Sequence, residues 1–438
     1  MPMKKLKRMM CLLLALALLT GAAPAPAPNA EPQPQPPEKV QEPRDQKEKI
    51  RTAQGVQPMT ATEKKDFDAA MAKPDTALLK SFLIGDYETG AVYREYNADV
   101  PVGLASTTKL MTIYCVMDAV DKGEIGMKDP VTIDHAAAAM HGSVYKTKEG
   151  EVYTVEELIH AGMIVSGNDA MIALADRIAG SEAAFVARMN QKAQEMGFTH
   201  MHFINVHGLT DYTANDYNKA TAREMFELSR SLLQKYPMVL DIARRPKIEE
   251  PQRAYISYST NPLLGILPGI DGLKTGYTGA AGRCFVATGL RPAEGKYLDT
   301  RFIGVYMGAE NDMDRYAASL RLSKEAMAHR NTILADKTED LGFLELKNAS
   351  PRKSSVYVEK NLVRNVNEGE EITGELQFAT VTPPHSKNDA VGDIVYYVGG
   401  KEIARAHVFV KEDIKKPNPI LSYRDLMADV FRAIEKAA

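Results

Sequence analysis

Ala105-Ser106-Thr107-Thr108-Lys109-Leu110-Met111-Thr112 opens an apolar helical pattern, which predicts a helix from Thr108 to Lys122. A helix entered at Ser106 sets Ser106 and Lys109 on one face, three residues apart, close enough for the amine to take the hydroxyl proton. The helix start also supplies backbone N–H groups and a positive dipole end that favour an oxyanion there. Serine is a poor nucleophile, so the pair works only if Lys109 is neutral, which requires burial or neighbouring cations to lower its pKa. The spacing Ser-x-x-Lys carries little weight alone, because the chain contains it three times: at Ser106, at Ser143 to Lys146 and at Ser350 to Lys353. The Ser350 copy contains Pro351, and the Ser143 copy lies in a Gly-flanked polar stretch without helical period. Only Ser106 opens an apolar helix.

Working outward, Ser166-Gly167-Asn168 follows the apolar segment Ile159 to Val165, inside a helical pattern running from Val155 to Ala179. A similar triplet recurs at Ser259-Thr260-Asn261, so the first copy alone reads equally as a polar turn. Lys274-Thr275-Gly276 occurs once, directly before Tyr277. On a strand edge these residues offer an ammonium, a hydroxyl and, through the glycine, close backbone approach to a bound carboxylate.

In this order the three elements resemble the Ser-x-x-Lys, Ser-x-Asn and Lys-Thr-Gly set of penicillin-binding proteins and serine β-lactamases. Their surroundings, Ser-Gly-Asn-Asp-Ala from Ser166, Asn205-Val206-His207-Gly208-Leu209 and Gly269 to Thr278, are similar to the low-molecular-weight D-Ala-D-Ala carboxypeptidase family over roughly residues 77 to 414. The resemblance implies that Ser106 is the acylated nucleophile and Lys109 its general base. The N–H groups of Ser106 and Tyr277 would form the oxyanion hole, Ser166 would relay a proton to the leaving amine, and Asn168 would hold the substrate amide. Lys274, Thr275 and Gly276 would meet the terminal carboxylate of the peptide or of a β-lactam. Arg315 matches the family's carboxylate-facing arginine, although the residues before it are not the usual glycines. His207 reads as a turn residue beside Gly208, since Lys109 already fills the base role. The implied chemistry is two-step acyl transfer on peptidoglycan stem peptides, inhibited by β-lactam antibiotics, with no metal and no organic cofactor.

Neighbouring readings use the same machinery. A D,D-endopeptidase differs only in what the cleft accepts. A β-lactamase of the best-known class would need an acid to activate water, and Thr199 to Asn205 offers none. A non-catalytic wall-binding protein would not need every catalytic residue type in order.

Around these motifs the chain reads as an α/β (α+β) transpeptidase-like catalytic domain, a central antiparallel sheet flanked by helices, with a small all-β domain behind it. Leu78 to Ile84 and Ala91 to Tyr96 predict a hairpin around Gly90; helices follow at Glu182 to Met196 and Thr221 to Lys235, then strands at Cys284 to Leu290 and Arg301 to Met307 and a helix from Met313 to His329. Strands at both ends with helices between imply a sheet assembled from distant segments. The expected divisions are a signal peptide over 1–27, a disordered Pro/Gln-rich linker over 28–72, the catalytic domain over 73–344, the β-rich domain over 345–414 and an amphipathic helix over 415–438. Lys4, Lys5, Lys7 and Arg8 before the apolar run Leu12 to Leu19 imply export. The last helix places Leu426, Met427, Val430, Phe431 and Ile434 on one side, a pattern suited to peripheral contact with a membrane or to packing on the protein.

A length of 438 residues exceeds one ordinary core, and a net charge of −3 with scattered Lys and Arg excludes a nucleic-acid partner. Past the export segment only Cys115 and Cys284 remain, both in apolar contexts, which predicts two buried free thiols and neither a disulfide framework nor a structural zinc.

Overall fold

The computed structural model describes residues 44–437. Strand β1 (Arg44–Thr52) pairs antiparallel with β2 (Gly55–Thr60), and helix α1 (Ala61–Met71) follows at once. Thr60 starts that helix: its hydroxyl accepts from Glu63 N while the Glu63 carboxylate accepts from Thr60 N, satisfying two donors that a helix end leaves open. Met59, Phe67 and Ala70 join the cluster of Phe82 and Tyr316, with the Phe67 and Tyr316 rings 5.4 Å apart. The disordered linker expected over 28–72 is thus corrected for residues 44–72. A low apolar content keeps a segment from building its own core, but a few side chains suffice to dock it on an existing one. The expected signal peptide and the rest of the linker lie outside the described residues.

The catalytic-motif half is built on a five-stranded antiparallel sheet. β3 (Ser81–Asp86) and β4 (Val92–Tyr96) form the expected hairpin; β5 (Ile270–Thr278), β6 (Gly282–Arg291) and β7 (Thr300–Ala309) complete the order β5-β6-β7-β3-β4. Side chains alternate as a strand's period of two requires. Phe82, Ile84, Phe285, Phe302 and Tyr306 lie on one face, in a cluster with Phe67 of α1, while Leu83, Val286, Ile303 and Val305 lie on the other. Burial of each large side chain contributes about 1.5–3 kcal/mol.

On that second face lie α2 (Lys109–Asp121), α3 (Val155–His160), α4 (Asn168–Ala179), α5 (Glu182–Glu195) and α6 (Ala222–Lys235). The helix expected from Val155 to Ala179 is not continuous. Ala161 to Val165 widen into a π-helical turn, Ser166 takes a left-handed φ of 63°, and α4 restarts at Asn168. A π turn of this sort is a common way to interrupt a helix at a functional position. Here it turns the Ser-Gly-Asn triplet inward. Helix α7 (Asp312–Ala326) packs beside α1 on the first face.

Strands Gly342–Glu345, Lys353–Tyr357, Ile372–Phe378, Gly392–Val398 and Lys401–Val410 form a second five-stranded sheet. It has its own core, which includes Leu344, Val356, Ile394, Val408 and Val410. The expected fold class, a flanked central antiparallel sheet plus a small all-β domain, is the one found. Helix α8 (Pro419–Ala437) ends the described chain.

Candidate active site

Ser106 sits on a 3-10 turn, Ala105–Thr108, that leads into α2, and Ala105 itself takes a left-handed φ of 46°. Two glycines from distant segments press on this turn. A Cβ on Gly208, whose φ is +92°, would lie 1.9 Å from the Ala105 carbonyl oxygen, and one on Gly276 would lie 2.7 Å from Ser106 N. Neither position has room for a side chain. The Lys-Thr-Gly strand and the turn at His207 therefore meet at the backbone of Ala105 and Ser106.

Lys109 is wholly buried, and its amine has three neighbours: Ser106 Oγ at 2.9 Å, Asn168 Oδ1 at 2.7 Å and the His207 carbonyl oxygen at 2.8 Å. Burial, and then the charge of Lys274, hold its pKa well below 10.5. A neutral amine has two N–H donors and one lone pair. Asn168 and His207 can take the donors, leaving the lone pair for the Ser106 hydroxyl.

Ser166 and Lys274 form the adjoining pair, with Lys274 Nζ donating to Ser166 Oγ at 2.9 Å and to the Thr275 carbonyl at 2.9 Å. Lys274 is also buried, and burial followed by the Arg315 charge lowers its pKa to about 7. The Thr275 hydroxyl is bonded to that of Thr260. Tyr277 is half exposed, with the Arg283 guanidinium 3.5 Å above its ring. Eight of the nine singled-out residues thus come from motifs that the fold brings to one cleft. The ninth, Arg315, stands apart from these hydrogen bonds and donates instead to Asp312 at 2.8 Å.

The discounted repeats behave differently. Ser143 and Lys146 are exposed in a loop, and Ser350 and Lys353 are exposed in the second sheet's region. Ser259-Thr260-Asn261 serves as a brace: Asn261 Nδ2 donates to the Gly272 carbonyl of β5 at 2.8 Å.

Three residues beside the motifs matter that were given no part in the site. His207 contributes its carbonyl, while its buried ring accepts from Leu209 N at 3.1 Å and has a pKa lowered to about 3 by burial and then by Lys109. Its side chain is therefore neutral and structural. Asn205 shapes that turn by accepting from Gly208 N at 2.7 Å, as an Asx turn does. Asp169 accepts from Tyr145 N and Thr147 N at 2.9 and 3.0 Å, tying the 143–147 loop to Asn168, whose own N donates to the Ser143 carbonyl at 2.8 Å. The Asp beside Asn168 in Ser-Gly-Asn-Asp was the available signal. Cys115 and Cys284 are buried and free, as their apolar surroundings predict.

Comparison with known proteins matches residues 68–311 to the D-alanyl-D-alanine carboxypeptidase family and residues 335–416 to the C-terminal domain of penicillin-binding protein 5. The D-alanyl-D-alanine carboxypeptidase DacF of Bacillus subtilis is 32% identical over 365 residues, covering 80% of this chain and 89% of that protein. DacC of Escherichia coli, of the same description, is 31% identical, covering 77% and 84%. Among solved structures, penicillin-binding protein 5 of Haemophilus influenzae superposes with a TM-score of 0.63 at 26% identity, covering 77% of this chain and 98% of that one. Penicillin-binding protein D2 of Listeria monocytogenes in its ampicillin-bound form gives 0.50 at 28% identity, covering 57% and 97%.

Proposed function

The chain belongs to the D-alanyl-D-alanine carboxypeptidase family of low-molecular-weight penicillin-binding proteins, and from that premise we propose that Ser106 is the residue acylated in turnover. The protein is a serine carboxypeptidase of the cell wall, acting on peptidoglycan peptides and binding β-lactams. The observation that carries the assignment to Ser106 is the amine of Lys109, buried and 2.9 Å from its hydroxyl.

In the mechanism we favour, neutral Lys109 takes the Ser106 proton as Oγ attacks the carbonyl carbon of the penultimate D-alanine. The oxyanion meets the N–H groups of Ser106 and Tyr277, each such donor typically worth on the order of 10²–10³ in rate. The proton passes through the Ser166 hydroxyl to the departing amine, helped by Lys274, and the C–N bond breaks to release D-alanine. Water then attacks the ester carbonyl, and Ser106 recovers its proton. Thr275, Lys274 and Arg315 supply the groups for the substrate carboxylate, Gly276 the close backbone approach, and Asn168 an amide held in place by Lys109 and the His141 carbonyl. The testing experiment is D-alanine release from an N-blocked pentapeptide stem. Release that stops in proportion to covalently bound penicillin supports the reading, and release that continues on fully labelled protein overturns it.

Export and membrane contact extend this proposal. The basic and apolar N-terminal run supports export to the cell-wall side of the membrane. On α8, Ile420, Leu426, Val430, Phe431 and Ile434 are all exposed, supporting peripheral attachment. Among the described residues no helix is long and apolar enough to cross a membrane. A chain ending at Asn418 is expected to lose sedimentation with anionic liposomes; equal sedimentation by both forms would count against attachment through α8.

A further inference from the structure

A cavity of about 530 Å³ lies beside the carboxylate end of the cleft. Its inner wall includes Thr260, whose hydroxyl is bonded to that of Thr275. Its outer wall is the end of the β1–β2 hairpin, residues Ile50 to Ala53, and Asp312 and Arg315 at the start of α7 close another side. The hairpin is held firmly there. Arg51 donates through Nε at 3.0 Å and through Nη2 to the Leu264 carbonyl, and the Tyr316 hydroxyl donates to the Lys49 carbonyl at 2.9 Å. This wall lies N-terminal to the residues matched by the carboxypeptidase family, which begin at 68.

The acids of the cavity are engaged, whereas its guanidiniums are satisfied only in part. Asp312 accepts from Arg315 at 2.8 Å and pairs with Arg283 at 3.2 Å, and the Glu63 carboxylate accepts from Thr60 N at 2.7 Å. Arg51, by contrast, pairs with no carboxylate among the described residues, and Arg315 Nε is buried without a hydrogen-bond partner. Burial lowers the pKa of both arginines, the mark of charges with too little compensation. With the acids already paired, Arg51 on the cavity wall is complementary to an anion, and guanidinium favours a carboxylate.

We infer that this cavity receives a carboxylate on the side chain of the released residue, so that the enzyme removes an acidic D-amino acid as well as D-alanine. The inference rests on the reading that Thr275 holds the main-chain carboxylate of that residue, which places the residue's side chain next to Thr260. The covalent step is unchanged: the acyl carbon passes to Ser106, the departing nitrogen takes the proton, and the D-amino acid leaves with both carboxylates.

The test compares N-blocked L-Lys-D-Ala-D-Glu and L-Lys-D-Ala-D-Gln, which match in size and differ in charge. The wild type is expected to cleave the D-Glu peptide with a kcat/KM about tenfold above the D-Gln peptide, the loss expected for one charge-assisted hydrogen bond. Arg51→Ala is expected to bring that ratio near one, while D-Ala-D-Ala turnover stays within about twofold. Loosening of the hairpin would also flatten the ratio, so Arg51→Gln, which can still bond Leu264, repeats the test with the wall in place. A wild type without preference, or Arg51 variants that keep it, overturns the inference. The underlying reading fails separately if Thr275→Ala leaves cleavage of every peptide unchanged.

Discussion

Ser106→Ala is expected to abolish labelling by a fluorescent penicillin and to lower D-alanine release by on the order of 10⁴-fold or more. The alanine variant keeps the backbone N–H groups and the Lys274 and Thr275 side chains, so it should still bind peptide. What it loses is the atom that forms the ester, and no neighbouring hydroxyl can replace it: Ser166 Oγ is engaged by Lys274. The fold should be little affected, because the deleted oxygen makes only a 3.3 Å contact to the His207 carbonyl besides its contact with Lys109. Thermal unfolding within a few degrees of the wild type would show this. A folded Ser106→Ala protein that still labels would falsify the assignment.

Lys109→Ala is expected to slow penicillin acylation by about 10³–10⁴-fold, the upper range for removing a general base. It also strips donors from Asn168 Oδ1 and the His207 carbonyl, which should cost on the order of 1–3 kcal/mol of stability. Lys109→Arg keeps a donor but no accessible neutral form, so it should be as slow as the alanine variant. The pH profile separates a base from a mere brace. The pKa of Lys109 is lowered by burial and by Lys274, so the competent neutral amine forms as pH rises through that lowered value. Wild-type acylation should therefore level off well below pH 10.5. Lys274 loses its charge as pH rises through about 7 in the free enzyme, which weakens carboxylate binding on the alkaline side until a bound anion raises that value. Acylation that climbs only near pH 10.5 would show Lys109 charged in the resting cleft and exclude it as the base.

The pairing of Ser106 with Lys109 was legible because side-chain identity and a three-residue helical spacing both appear in sequence, and the Lys-Thr-Gly strand because it occurs once. The turn at His207 was legible only as a turn. Its working part is a carbonyl oxygen, which every residue possesses, so no residue type announces it. The break at Ser166 was hidden by an apolar run that suits a continuous helix, although Gly167 marked the place. The first hairpin was misread because composition weighs a segment in isolation, whereas Met59 and Phe67 are buried among residues more than a dozen positions away. Arg315 shows the opposite limit: its position was readable, but the cavity it shares with Arg51 depends on a hairpin that composition had dismissed.

Gly208 and Gly276 let two remote stretches of chain close on the Ser106 turn, held by contact and by hydrogen bonds such as that from Lys109 to the His207 carbonyl. Neither a disulfide nor a cluster of metal-ligating side chains, among the described residues, keeps those stretches in register when the remainder loosens. The cleft consequently assembles and disperses with the whole domain, and an irreversible acylating drug counts intact molecules one by one. At saturating dose and short exposure, the labelled fraction of a heated or urea-treated sample becomes a direct census of the native population.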